Sequence, residues 1–173
     1  MANSNSISIF DSLERDLTED EIHFISQTTQ KTRHLSYRPP DLIERHARAG
    51  HIIAAYNSDD ELIGWIEQYP LWSNWWGLSS LYVRPEYRDD GVGRGKLLPS
   101  AIKRLSNYNI YAATTNPTIQ AFLPTQGFTN VSFWHYPTPL IISLIWKRYT
   151  YPATWLKLGK LMRQNFMYFE KRI

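Results

Sequence analysis

The sequence predicts a single domain of mixed α/β (α+β) class, in which a central sheet is covered by helices. Strand-like segments follow one another directly between residues 51 and 83, and then alternate with helical segments up to residue 146. The 173 residues, of which 43% are hydrophobic, are enough to build one core. No internal repeat or low-complexity linker divides the chain. We therefore expect one domain over residues 1–173.

The first predicted elements are two helices. Thr18 and Glu21 form a capping-box pattern that begins a helix over residues 18–30. A second, short helix follows Pro40 and ends near Gly50, because glycine is common just after helix C-termini.

Three strands are predicted next. Residues 51–56 and 61–67 are apolar runs joined by the polar segment 57–60, which predicts a hairpin. A third strand over residues 75–83 ends before Pro85, since proline cannot donate to a strand ladder.

Helices and strands alternate in the second half of the chain. Apolar residues recur at helical spacing over residues 96–105, although Pro99 should kink this helix. The elements predicted after it are a strand over 109–114, a helix over 117–126, strands over 131–134 and 140–146, and an amphipathic helix over 154–169.

Composition and charge exclude several classes of protein. The absence of cysteine excludes disulfide scaffolds, Cys-ligated zinc and thiol catalysis. Residues 1–146 contain 12 Lys and Arg against 15 Asp and Glu, whereas residues 147–173 contain seven against one. The charge pattern therefore predicts a slightly acidic domain with a basic C-terminal extension. No signal segment and no apolar run of about 20 residues are found, so a cytoplasmic protein is expected.

A glycine-rich loop over residues 88–95 connects the third strand to the next helix. Such a loop is suited to hold an anion, because the first N–H groups of a helix are unpaired. Arg88 can add a bidentate phosphate contact. Leu97 stands where a P-loop needs Ser or Thr, and Lys96 stands where a dinucleotide loop needs its third glycine. By itself the loop is compatible with a structural turn and with a ligand site.

Two motifs together resemble the GNAT superfamily of N-acyltransferases. Val83-x-Pro-x-Tyr-Arg-x-x-Gly-x-Gly93, followed by an amphipathic helix, is similar to the family's pyrophosphate loop. Asn116 begins a second segment that ends in Gly127-Phe128 and matches the family's later motif in spacing and order. The resemblance covers about residues 51–146. It implies a mostly antiparallel mixed sheet splayed at the cofactor strand, acetyl-CoA as cosubstrate, no metal, and acyl transfer to an amine.

The resemblance also implies which residues contact the cofactor. The end of the third strand would pair with the pantetheine arm through its backbone, the loop would hold the pyrophosphate, and Asn116 would contact the pantetheine side. Two of the loop residues are acidic and must face solvent or weaken this binding. Phe128 is expected in the core. The cofactor residues implied are Leu81, Tyr82, Val83, Arg88, Asp89, Asp90, Gly91, Val92, Gly93, Arg94 and Asn116.

Two catalytic side chains that are frequent in the family are missing. Leu123 stands where the family's usual acid is a tyrosine, and Gly77 stands where a glutamate is frequent. Glu67, Tyr82 and His135 are the candidate substitutes for acid–base catalysis, with surface charge or packing as the alternative role of each. An alternative function is a catalytically weak or inactive acyl-CoA-binding module with a regulatory or interaction role.

The acceptor side of the predicted site is aromatic. The expected partners are an acyl-CoA and a small-molecule or peptide amine, with no nucleic acid. The basic tail helix is expected to dock on its own domain or on a second copy in a homodimer, with an anionic membrane as the alternative.

Five aromatic residues near the predicted acceptor side either pack in the core or line an acceptor pocket: Trp65, Tyr69, Trp72, Trp75 and Trp76.

Overall fold

A computed structural model describes residues 6–32, 35–149 and 166–173. Seven strands in these ranges form one sheet. They are β1 (Ser8–Asp11), β2 (Ile52–Tyr56), β3 (Leu62–Pro70), β4 (Trp75–Val83), β5 (Asn109–Thr114), β6 (Thr129–Val131) and β7 (Met167–Lys171).

The sheet is mixed, with the strand order β1-β2-β3-β4-β5-β7-β6. β4 and β5 are parallel, whereas the other five neighbouring pairs are antiparallel. The predicted class is therefore confirmed, as is the predicted hairpin of β2 and β3. The parallel pair requires a crossover, which the chain makes through the glycine loop and the helix that follows it.

Five α-helices in the described ranges cover the two faces of this sheet. They are α1 (Glu19–Lys31), α2 (Pro40–Arg48), α3 (Leu98–Arg104), α4 (Pro117–Phe122) and α5 (Thr138–Tyr149). The predicted capping box begins α1, because Thr18 Oγ1 accepts from the Glu21 N–H while the Thr18 N–H donates to Glu21 Oε2. Gly50 follows α2 with a φ of 68°, the left-handed conformation that favours glycine.

Two helical layers share one face of the sheet, and among the described residues neither of their buried clusters includes residues 76–81 of β4. α1 and α2 pack on the β1–β3 side, where Ile25 and Ile43 contact Trp65 in one buried cluster. α5 packs on the β5 and β7 side, where Leu140 and Leu144 lie with Tyr111 in another. Residues paired across strands lie on the same face, and the register places Trp65 and Tyr111 on the same side. α3 covers the opposite face.

Two predictions for the C-terminal part of the chain are wrong. Residues 140–146 are part of α5 rather than a strand, because buried Leu140 and Leu144 are spaced four apart and Pro139 is tolerated in the first helical turn. Residues 167–169, expected at the end of a helix, begin β7, whose side chains alternate between the two faces of the sheet. The rest of the predicted tail helix, residues 154–165, lies outside the described residues.

Smaller differences concern the edges of the sheet. β1 was not predicted, and it pairs with β2 at one edge. β6 is shorter than predicted and starts two residues earlier; residues 133–135 form a 3₁₀ turn instead. No helix within residues 6–32, 35–149 and 166–173 is long and apolar enough to cross a membrane.

Candidate active site

β4 and β5 diverge in the middle of the sheet. Their register pairs Trp75–Leu78 with Asn109–Ala112, and the structure pairs none of residues 79–83 with β5. The backbone edge of this part of β4 therefore faces a cleft instead of a neighbouring strand. This splay is the arrangement that the sequence resemblance implies.

A β-bulge reshapes β4 where it borders the cleft. Trp65 pairs with Tyr82 but Glu67 pairs with Ser79, so one extra residue of β4 lies between the two pairs. Ser80 in this bulge has a φ of 53°, an uncommon conformation for a residue with a side chain. The bulge interrupts the hydrogen-bond ladder between β3 and β4, and it changes the direction of the backbone at residues 80–82 near the cleft.

The cleft has a volume of about 740 Å³ and extends along β4, from Leu78 to Val83. Its lining changes character from one end to the other. The end at the glycine loop is lined by Arg88, Gly93 and Arg94, and the end between α1 and β5 by Arg38, Tyr69 and Tyr111. One continuous cleft thus joins the predicted cofactor loop to the predicted acceptor side.

The glycine loop forms a wide helical turn. Gly91 has a φ of 73° and precedes a π-helical turn over Val92–Leu97, which continues into α3. The Leu98 N–H donates to the Gly93 carbonyl, five residues earlier. Pro99 is the second residue of α3, so its missing N–H falls where the π-helical turn changes into an α-helix.

Gly93 packs tightly against the end of β4. A Cβ atom added to Gly93 would lie 3.3 Å from Val83 Cγ2, whereas one added to Gly91 or Gly95 would meet nothing within 4 Å. Gly93 also lines the cleft and has no side chain, so the backbone of the loop is open to close approach by a ligand there. Such close approach is what a phosphate needs to reach the unpaired N–H groups at a helix start.

Two arginines and one aspartate from the loop line the cleft. Arg88 Nε donates to the Val83 carbonyl over 3.2 Å, which holds the guanidinium at the end of β4. Arg94 and Asp89 are exposed and lie on the wall, but Asp90 is not among the lining residues. Asp90 thus lies away from the expected anion, whereas the Asp89 carboxylate would repel an anion in the cleft.

The second motif closes the cleft on the β5 side. Asn116 begins α4, and its Oδ1 accepts from the Thr118 N–H over 2.9 Å. Asn116 also lines the cleft, where its amide NH₂ is the group left to face a ligand. Leu123 lines the same wall and is 1% exposed. Phe128 is buried in the core, as predicted.

A buried ion pair lies behind the acceptor end of the cleft. Arg38 Nε donates to both oxygens of Glu67 at 3.0 and 3.2 Å, and His46 Nδ1 lies 2.5 Å from Glu67 Oε1. Ser80 Oγ donates to Glu67 Oε2 over 3.2 Å, and Ser79 Oγ lies 3.3 Å from Ser80 Oγ. Glu67 therefore connects α2 and the segment before it to the bulge of β4.

The contacts of Glu67 keep it ionised. Burial raises the pKa of this carboxyl, but the charge of Arg38 and the hydrogen bond and charge of His46 outweigh it and lower the pKa to about 2. A carboxylate with so low a pKa is a weak base at neutral pH. This geometry favours a positioning role for Glu67, through Arg38 and Ser80.

The three predicted acid–base candidates lie in different places. Glu67 is 4% exposed and does not itself line the cleft, which it reaches through Arg38 and Ser80. Tyr82 lines the cleft, with its ring stacked on Trp65 at a centroid distance of 4.6 Å. His135 is exposed beside Glu170 and Arg172 and is not a lining residue of the cleft. The catalytic roles of all three stay predictions.

Of the five clustered aromatic residues, Tyr69 lines the cleft. Trp65 and Trp75 are buried in separate clusters, Trp76 packs against His51 and Tyr108, and Trp72 is 44% exposed. Arg38 and Tyr111 also line the cleft, although neither was predicted as a site residue. A signal for Arg38 existed, since Glu67 in a buried strand requires a nearby cation.

Comparisons with known proteins agree with this geometry. Residues 10–128 match the sequence model described as the acetyltransferase (GNAT) family. No curated protein matches the chain by sequence. N-acetylglutamate synthase from Neisseria gonorrhoeae, complexed with coenzyme A and N-acetyl-glutamate, is similar in structure, with 18% identity and a TM-score of 0.66. The match covers 99% of this chain but 36% of that longer one.

Two other solved structures match along nearly their whole length. A GNAT-family acetyltransferase from Staphylococcus aureus has 20% identity and a TM-score of 0.62, covering 96% of this chain and 100% of its own. PaiA N-acetyltransferase from Thermoplasma acidophilum, in complex with coenzyme A, has 16% identity and a TM-score of 0.61, covering 97% and 99%. At these identities the likeness establishes a shared fold.

Proposed function

The chain belongs to the acetyltransferase (GNAT) family, and we propose that it transfers an acetyl group from acetyl-CoA to an amine of a small molecule or peptide. The observation that supports this most is the splay of β4 from β5, which opens one cleft from the glycine loop to the far side of β4. A long cosubstrate and an acceptor can meet in such a cleft over the bulge at Ser80.

The loop end of the cleft suits the pyrophosphate of acetyl-CoA. The close approach at Gly93, the unpaired N–H groups at the start of the π-helical turn, and two arginines favour an anion there. The unpaired edge of residues 81–83 offers backbone groups to the amides of a pantetheine arm, and Asn116 faces it from the other wall. Residues 1–146 contain 12 Lys and Arg against 15 Asp and Glu, so their net charge of −3 does not attract an anionic cosubstrate. The attraction must therefore come from the groups at the glycine loop itself.

Acetyl-CoA supplies a thioester, whose carbonyl an uncharged amine can attack. In the reaction a C–N bond forms, the C–S bond breaks, the amine loses one proton and the thiolate gains one. In this proposal backbone N–H groups near Val83, on the edge of β4 that does not pair with β5, stabilise the oxyanion. Because a thiol with a pKa near 8.5 is a tolerable leaving group, Leu123 in place of an acid need not prevent turnover.

A second candidate function is an acyl-CoA-binding module without acyl transfer. Gly77 and Leu123 favour it, because they lack the side chains that the family often uses as base and acid. Both candidates require acetyl-CoA binding, so they differ only in turnover.

One experiment tests both candidates. Thermal unfolding is followed with and without acetyl-CoA, and free thiol release is then measured over a panel of amines. We expect stabilisation by acetyl-CoA and thiol release that depends on an amine. Stabilisation without release would favour the binding module, and no stabilisation would contradict both.

Replacing Arg88 by alanine is expected to weaken acetyl-CoA binding by about 1–3 kcal/mol, or about 5- to 150-fold. The reason is the loss of a charged donor whose Nε is already held by the Val83 carbonyl. Isothermal titration calorimetry measures this difference. Arg45→Ala is the matched control, because Arg45 is exposed on α2 and pairs with Asp41. Equal affinity of the two variants would remove Arg88 from the site.

A further inference from the structure

Tyr69 fills the position from which a side chain at residue 77 would enter the cleft. Tyr69 and Gly77 are directly paired across β3 and β4 and thus lie on the same face of the sheet. A Cβ atom added to Gly77 would lie 2.8 Å from Tyr69 Cζ, 2.9 Å from Cε2 and 3.0 Å from the hydroxyl oxygen. The phenol therefore occupies the volume next to Gly77, and no side chain fits there while it does.

This volume lies at the acceptor end of the cleft. Tyr111 of β5 pairs with Gly77 on the side away from Tyr69. Tyr69 and Tyr111 both line the cleft, as do Ser79 and Ser80 on β4. The Tyr69 hydroxyl thus lies next to Gly77, which is two residues before Ser79 on β4.

From this geometry we propose that the Tyr69 hydroxyl contacts the acceptor nucleophile and orients it toward the acyl carbonyl. This inference rests on the proposed function and names a residue for it. Residue 77 is where the sequence resemblance implies a glutamate, and the polar group here comes from the neighbouring strand instead. A phenol hydroxyl both donates and accepts hydrogen bonds, so it can hold an amine, or a water bound to it, with the nitrogen lone pair toward the thioester.

The balance of the acyl transfer is unchanged by this role. Tyr69 transfers no proton in this role, and only its hydrogen bonds to the acceptor change. The acceptor proton leaves to water as the C–N bond forms, and the expelled thiolate takes a proton from water. The competing explanation is packing alone, in which the ring covers a glycine in the opposite strand.

Tyr69→Phe separates the two explanations, because it keeps the ring and removes only the hydroxyl. We expect kcat/KM for the amine in thiol release to fall about 5- to 100-fold, with acetyl-CoA affinity and the unfolding temperature unchanged. Tyr108→Phe is the matched control, since Tyr108 is 37% exposed, packs on Trp76 and is not a lining residue of the cleft. Unchanged kinetics of Tyr69→Phe would overturn the proposal.

A double variant, in which the polar side chain comes from residue 77 on β4 instead of residue 69 on β3, tests the role of the volume next to Gly77. Tyr69→Ala empties it, and Gly77→Glu added to Tyr69→Ala places a carboxylate there from β4. We expect the double variant to regain activity over Tyr69→Ala and to show a carboxylate pKa on the acidic side of its pH–rate profile. Gly77→Glu alone should lower the unfolding temperature, because its Cβ would overlap the Tyr69 ring. A double variant no more active than Tyr69→Ala would count against the proposal.

A binding measurement tests the position of the Tyr69 hydroxyl even if the protein shows no turnover. Protein labelled with 3-fluorotyrosine is titrated with CoA and with acetyl-CoA, and the Tyr69 fluorine resonance is assigned by its loss in Tyr69→Phe. We expect the resonance to move further with acetyl-CoA than with CoA, because the acetyl group reaches the acceptor end. Equal positions with the two ligands would overturn the proposal. Absence of thiol release in the wild type contradicts the proposed acyl transfer, whereas this resonance tests Tyr69 independently.

Discussion

Replacing Arg38 by methionine is expected to lower the free energy of unfolding by about 3–5 kcal/mol. The side chains of Arg38 and Glu67 are 8% and 5% exposed, so the variant leaves a carboxylate buried without its main cation. For a domain of this size the loss corresponds to a fall in the unfolding temperature of about 6–20 °C. Urea unfolding at pH 7, followed by circular dichroism, measures the free-energy difference directly.

The same ion pair predicts how stability changes with acid. Burial raises the pKa of Glu67, but Arg38 and His46 outweigh this effect and lower the pKa to about 2. An unfolded glutamate has a pKa near 4.5, so between these values the unfolded chain binds more protons than the folded one. The contribution of Glu67 is therefore complete above about pH 4.5 and is lost as the pH falls toward 2. We expect this loss to be about 3 kcal/mol in the wild type and much smaller in Arg38→Met.

Two further variants isolate the cause. Arg45→Met removes a cation from the exposed pair with Asp41 and should cost at most about 0.5 kcal/mol. Adding Glu67→Gln to Arg38→Met removes the uncompensated charge and should recover part of the lost stability. A cost below about 1 kcal/mol for Arg38→Met would contradict a buried, ionised Glu67.

The elements predicted best are those whose signals are local. The bounds of β4 and β5 agree with the structure because apolar runs end at punctuating residues, such as Pro85 after β4. The capping box of Thr18 and Glu21 predicts the start of α1 because both of its hydrogen bonds lie within four residues. The glycine loop and Asn116 were found because the family motif requires particular residue types at fixed spacings.

The C-terminal elements were mispredicted because their patterns suit two structures. Phe166 and Phe169 are three residues apart, which suits a helix, while Met167 and Phe169 also share a strand face. The site residues that were missed depend on distant contacts. Arg38 is 29 residues from Glu67, and the Tyr69 ring lies over Gly77 only because a hairpin pairs them. No local pattern contains either relation.

Replacing Gly93 by aspartate is expected to weaken acetyl-CoA binding by about 100-fold or more. A Cβ at this position would lie 3.3 Å from Val83 Cγ2, and because Gly93 lines the cleft, the new side chain adds a carboxylate to the cleft wall at the glycine loop. Its carboxylate would then face the pyrophosphate, and two unit charges about 4 Å apart near a protein surface repel by about 4 kcal/mol before solvent screening. Calorimetric titration with acetyl-CoA measures the loss.

Gly95→Asp separates the position of this charge from its sign. It adds the same carboxylate two residues further along the π-helical turn, where a Cβ meets nothing within 4 Å and the residue does not line the cleft. Solvent screens a charge at that exposed position, so binding should weaken only a few-fold. If both variants lost affinity equally, the effect would come from the overall charge of the loop. If neither variant lost affinity, the pyrophosphate would lie elsewhere. The glycine at position 93 would then be needed only for its packing against Val83.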